Sequence, residues 1–135
     1  MPVETDAGLR ELLGLERVAV VGCSSTPGKD AHEVPKYLLE HGYDVVPVNP
    51  TADEVLGRPA HDSLSAAPDG VELVNVFRPS PEVSGIVDEA LDREDVAAVW
   101  TQLDVRDDAA AERAEAGGLQ VVQDRCMKVE HRRLR

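Results

Sequence analysis

At 135 residues, with 26 Asp and Glu against 14 Lys and Arg and a net charge of −12, the chain suits a single domain over residues 1–135. Such a surface repels nucleic acid and anionic membranes, and no apolar run approaches the ~20 residues that cross a bilayer. The N-terminus lacks the basic start and apolar core of a signal peptide, and Cys23 and Cys126 lie far apart without metal-ligand spacing, so a cytoplasmic protein with two reduced thiols is expected. Only Lys29, Lys36 and Lys128 are lysine; an acidic, lysine-poor chain rich in Ala, Val and Asp has the composition of halophilic-type proteins.

Thr5 to Leu15 reads as a short amphipathic helix, and Arg17 to Gly22 as a continuous apolar strand, the pattern of a parallel sheet covered on both faces. A helix runs from near His32 or Glu33 to His41, with Val34, Tyr37 and Leu38 on one side. Gly42 stops it, and Pro35 argues for leaving Asp30 in the preceding loop. Asp44 to Val48 is the second strand. A loop through Leu56-Gly57-Arg58-Pro59 and a short helix at Ser63 to Ala66 lead to the third strand, Val71 to Phe77. Ser80 as N-cap, with Pro81 in the first helical position, starts a helix to Arg93. Val96 to Thr101 is the fourth strand, Asp107 to Ala116 a helix, Leu119 to Gln123 the fifth strand, and a basic segment follows from Lys128 to Arg135.

Strands alternating with helices at this spacing argue for βαβ units. The expected fold is α/β: a Rossmann-like, doubly wound parallel five-stranded sheet of order 3-2-1-4-5 with helices on both faces. Ligands of such sheets sit outside the carboxyl ends of the strands. That gathers Gly22 to Lys29, Val48 to Pro50, Phe77-Arg78 and Trp100 to Gln102 around one crevice.

The loop G22-C23-S24-S25-T26-P27-G28-K29 leaves a strand and feeds a helix, a setting in which backbone N–H groups and the helix dipole favour phosphate. It lacks the G-x-G-x-x-G fingerprint, and the second strand ends in Asn49, not the acid that holds a dinucleotide ribose. It also fails as a Walker A loop, because five residues separate Gly22 from Gly28 and Asp30 stands where a magnesium-binding hydroxyl belongs. A hydroxyl-rich cradle with Lys29, facing a neutral amide at Asn49, suits a pyrophosphate joined to a phosphorylated ribose. Coenzyme A has that pattern. Against it stand two commonplace explanations, a helix-capping turn at Ser24–Thr26 and a strand-ending turn at Asn49-Pro50.

The segments G22-C23-S24-S25-T26-P27, H41-G42-Y43-D44-V45-V46-P47-V48-N49-P50, V74-N75-V76-F77-R78, V99-W100-T101-Q102 and D124-R125-C126 resemble the small stand-alone CoA-binding domain family, from Arg17 to about Leu134. That family is similar to the CoA-binding domain of the succinyl-CoA synthetase α subunit. The resemblance implies that Gly22, Ser24, Ser25, Thr26 and Pro27 wrap the pyrophosphate with Lys29. It implies that Val48, Asn49 and Pro50 line the adenine and ribose end. Phe77, Arg78, Trp100 and Gln102 would border the pantetheine arm. The family usually has glycine where this chain has Asp104, which would narrow the arm's path.

No nucleophile, base and orienting group converge in the sequence. His41 and His131 read as solvated surface residues, His32 as a first-turn surface residue, and Cys23 as small packing under the loop in preference to a reactive thiol. The chain is thus expected to be a non-catalytic cytoplasmic module for coenzyme A or an acyl-CoA, with no metal. A homodimer or a partner enzyme subunit stays open. The alternatives are the CoA-site component of a multi-subunit acyl-CoA ligase or transferase, and an NAD(H)-linked binder, which Asn49 disfavours.

Overall fold

Valine-dominated runs, whose β-branched side chains suit a pleated surface, become the strands of one parallel sheet. The computed structural model describes residues 2–135. The sheet contains β1 (Arg17–Val21), β2 (Asp44–Val48), β5 (Leu73–Val76), β6 (Ala98–Thr101) and β7 (Gln120–Val122), in the order β2-β1-β5-β6-β7. A small antiparallel hairpin, β3 (Glu54–Val55) and β4 (Arg58–Pro59), follows β2. Its turn uses positive φ at Leu56 and Gly57, the backbone twist that two-residue hairpins favour.

The Rossmann-like α/β class stands, with one change in the sheet. The sequence pattern puts the third long strand outside the second, in the order 3-2-1-4-5, whereas β5 pairs with β1 from Val18↔Leu73 to Val21↔Val76. The outer edge of β2 is already occupied. His61 N–H donates to Pro47 O at 3.0 Å, and Asn49 N–H donates to His61 O at 2.9 Å. The free edge of β1 is what remains, so the switch point in strand order falls between β1 and β5, with β6 and β7 beyond.

Helices cover both faces. On one side α1 (Asp6–Leu13), α2 (Asp30–Glu40) and α5 (Met127–Leu134) bury Leu9, Leu38 and Met127 against Val18, Val20 and Trp100. On the other, α3 (Val83–Leu91), α4 (Asp108–Ala116) and a 3-10 turn at Leu64–Ala66 pack Val83, Ile86, Val87 and Ala111 against Ala19, Val21, Val76 and Val99. The helix at Ser80 is the least like its expectation. Ser80–Glu82 form a 3-10 turn before α3, and the Ser80 hydroxyl accepts from Arg106 N–H at 2.9 Å instead of capping its own helix.

Proline placement in α2 carries structural information. Asp30 belongs to the helix, and Pro35 sits inside it, buried. A proline nitrogen cannot donate to the carbonyl four residues back, which frees the Ala31 oxygen. Ser24 N–H takes that acceptor at 2.9 Å. The helix defect therefore anchors the loop that precedes it.

His131 is half-buried, not solvated. Its Nδ1 lies 2.7 Å from Tyr37 Oη, and its ring meets those of Tyr37, His41 and Tyr43 edge-on. Burial holds its pKa below the ordinary value, helped by the neighbouring His41 and Arg135 charges.

At the other end of the sheet, Asp95 accepts from Gly70 N–H (2.8 Å), Val71 N–H (3.0 Å) and Arg93. The Arg93 guanidinium, aided by those amides, lowers its pKa to about 2 from 3.8. A depressed carboxylate stabilises the fold above its unfolded pKa and loses that contribution as pH falls through the folded one. Asp95→Asn should lower stability by about 1–3 kcal/mol at pH 7. In denaturant melts across a pH series, the gap between variant and wild type should narrow below pH 4; a gap constant down to pH 3 would contradict this.

Candidate functional site

The carboxyl ends of β1, β2 and β5 open into a crevice of about 680 Å³. Its position follows from the sheet: β1 and β5 diverge there because α2 and α3 leave toward opposite faces. Of the residues singled out by sequence, Gly22, Ser24, Lys29, Val48, Asn49, Pro50, Phe77 and Arg78 line this space. Ser25, Thr26 and Pro27 form the exposed tip of the loop and are not among its walls.

Gly22 is the residue that makes the loop fit. Its φ is +88°, and a methyl carbon there would come within 2.8 Å of Arg78 Cδ and 3.1 Å of the Phe77 carbonyl oxygen. Any side chain would force the loop off the β5 exit. The loop beyond it is held mostly by the end of β2 and the first turns of α2. Gly22 N–H donates to Val48 O, Ser24 N–H to Ala31 O, Thr26 N–H to Ser24 Oγ at 3.1 Å and Gly28 N–H to Glu33 Oε2 at 3.3 Å. Among the described residues, Cys23 and Ser25 are the loop positions whose backbone N–H groups have no acceptor in the chain.

Asn49, expected at the ribose end, lines the crevice and also ties two chain segments together. Its Nδ2 donates to the Cys23 carbonyl at 2.9 Å, while Oδ1 accepts from Thr51 N–H (2.8 Å) and Thr51 Oγ1 (2.9 Å). The side chain ties the end of β2 to the loop after β1 with one of its two Nδ2 hydrogens. An amide is required there because the partner is a carbonyl oxygen, to which only a donor can bond.

Trp100 and Gln102 lie away from the crevice walls. Trp100 is fully buried, its Nε1 donating to Arg125 O at 2.9 Å, and it packs in the core beside Met127. Gln102 is 6% exposed, and its Oε1, like Asn75 Oδ1, is buried without a hydrogen-bond partner. Unpaired buried acceptors are uncommon and costly. Asp104, where the resembling family carries glycine, adopts φ +68°, and its N–H donates to Asp124 Oδ1 at 2.6 Å. The left-handed backbone accounts for glycine there, and Asp is one of the few other residues that accept it. Asp104 is exposed and outside the crevice, so it does not narrow it.

Sequence reasoning missed the far wall, where Asp62, Ser63, Leu64, Glu82, Ile86 and Glu89 face the loop. Asp62 to Leu64 and Glu82 come from a turn and 3-10 segments that carry no periodic signal, and Ile86 and Glu89 reach the crevice from the first turns of α3. Cys23 lines the site by its backbone; its side chain is buried, and desolvation pushes the thiol up to about 12. At neutral pH it is a protonated thiol with little nucleophilic character. Among the described residues no group of three or more His, Cys, Asp or Glu is arranged to hold a metal, and no helix is long and apolar enough to cross a membrane.

Comparison with known proteins adds a family. A model described as a CoA binding domain matches residues 16–132. An uncharacterized Bacillus subtilis protein, YneT, is 37% identical over 126 residues, covering 93% of each chain. Acetate–CoA ligase [ADP-forming] II of Archaeoglobus fulgidus is 32% identical over 83 residues, covering 60% of this chain and 12% of the ligase. A hypothetical protein of Pyrococcus horikoshii superimposes with a TM-score of 0.93 at 41% identity, over 99% of this chain and 96% of that one. A dinucleotide-forming acetyl-coenzyme A synthetase of Ca. Korarchaeum cryptofilum gives a TM-score of 0.71 at 28% identity, over 84% of this chain but 26% of that one. The chain thus spans nearly all of its small relatives and a minor part of the ligases.

Replacing Asn49 by Asp sets a carboxylate oxygen against the Cys23 carbonyl. Asn49→Asp should cost about 1–3 kcal/mol in denaturant unfolding, more than Asn49→Ser; equal stabilities for Asp, Ser and wild type would contradict the tie.

Proposed function

Because the chain belongs to the family of CoA-binding domains, we propose that it binds coenzyme A or an acyl-CoA in the crevice at the ends of β1, β2 and β5, as a non-catalytic cytoplasmic module. The observation that carries this reading is the crevice itself: a glycine-led loop at a helix N-terminus, with Lys29 and Arg78 beside it. In this reading the pyrophosphate meets the free amides of Cys23 and Ser25, the Ser24 hydroxyl and Lys29. Val48, Pro50 and Thr51 border the nucleoside end, and Asn49 acts through the loop it holds.

In this reading the pantetheine arm leaves the crevice past Phe77. Coenzyme A would supply a thiol able to carry an acyl group as a thioester; the residues of this chain bind and orient it. Calorimetric titration with CoA, acetyl-CoA, NAD and ATP in molar KCl tests the reading. CoA or its thioester should bind, and Lys29→Ala should weaken binding by about 1–3 kcal/mol. Binding of NAD without CoA, or equal affinity in Lys29→Ala, would overturn it.

A second reading, as the CoA-site component of a larger ligase, is favoured by one surface. Leu103 and Val129 are 56% and 55% exposed and border a cavity of about 320 Å³ with Arg106 and Arg125. Exposed aliphatic residues grouped at a cavity suit a protein partner. Adding the chain to an ADP-forming ligase deprived of its own CoA-binding domain should then restore acyl-CoA synthesis, and Leu103→Asp should abolish the rescue. No rescue by the unmodified chain would rule this reading out.

A further inference from the structure

We propose that Glu82 sets the ligand affinity of the crevice by holding Arg78 away from the phosphate loop, so that binding transfers the Arg78 guanidinium from carboxylate to ligand phosphate. The inference rests on the CoA reading and adds to it a residue that works against binding.

Arg78 leaves β5 with its stem laid over Gly22, the residue whose missing side chain makes room for it. From there the guanidinium does not turn to the loop. It forms a two-pronged pair with Glu82, Nε to Oε1 at 3.1 Å and Nη2 to Oε2 at 2.7 Å. Both side chains are 47% exposed, so the pair is screened by water and weak. A phosphate accepts from arginine with the same two-pronged geometry and carries more charge. The released carboxylate, being exposed, returns to water.

Charge makes the exchange matter. Two cations, Lys29 and Arg78, line the crevice against three carboxylates, Asp62, Glu82 and Glu89. Glu89 is held by Ser65, through its N–H at 3.1 Å and its hydroxyl at 2.9 Å. While Arg78 is paired, Lys29 is, among the described residues, the one cation of this wall without a carboxylate partner. A polyanionic ligand entering a chain of net charge −12 therefore gains most from recruiting Arg78.

The test is a double-mutant cycle on CoA binding by calorimetry, with wild type, Glu82→Gln, Arg78→Ala and the double variant at one ionic strength. Glu82→Gln should tighten binding roughly two- to fivefold, the worth of an exposed ion pair. Arg78→Ala should weaken it, and the gain from Glu82→Gln should vanish in that background. CoA binding that Glu82→Gln leaves unchanged would overturn the exchange alone, as would a gain that persists without Arg78. No CoA binding by any of the four overturns the functional reading and the exchange together.

Discussion

The hydrogen bond from Asn49 Nδ2 to the Cys23 carbonyl is the constraint on which the rest of the site depends. Parallel strands leave their carboxyl ends as separate loops, and nothing in the ladder itself fixes one loop against the next. Here the end of β2 reaches across and holds the loop after β1 at its second residue. The Ala31 carbonyl, released by Pro35, holds the same loop one residue later through Ser24 N–H. Two anchors, one from the neighbouring strand and one from the following helix, turn a glycine-led turn into a fixed rim.

With the rim fixed, chemistry follows from what the anchors leave over. They use one N–H of Asn49, Ser24 N–H and the Cys23 carbonyl, and they leave the amides of Cys23 and Ser25, the Lys29 ammonium and an arginine that a weak pair can release. That inventory suits an anion. It does not suit bond-making by Cys23, whose thiol desolvation keeps protonated. The crevice thus has the parts of a binding site, and the family to which the chain belongs is one of CoA-binding domains.

Much of this was legible in the sequence. The valine runs, the helix-stopping glycines and the loop after β1 yield the α/β fold and the location of the crevice, because burial on both faces and backbone freedom leave direct marks on residue choice. Three things left no such mark. The strand order turned on which edge of β2 the His61 segment covers, a long-range pairing with no periodic signature. Asn49 was legible as special but not as a tie, since a donor facing the ligand and a donor facing Cys23 look alike along a chain. Trp100 and Gln102 sit near a strand end, and only the packing of α5 shows the indole turned into the core and the amide oxygen buried and unpaired.

The most direct measurement of the central claim is a titration of 15N-labelled protein with coenzyme A followed by amide chemical shifts. Saturable shifts concentrated at Gly22 to Lys29, Val48 to Thr51 and Phe77-Arg78, largest at Cys23 and Ser25, are the predicted result. A spectrum that coenzyme A leaves unchanged, or shifts confined to the opposite ends of the strands, would contradict the account.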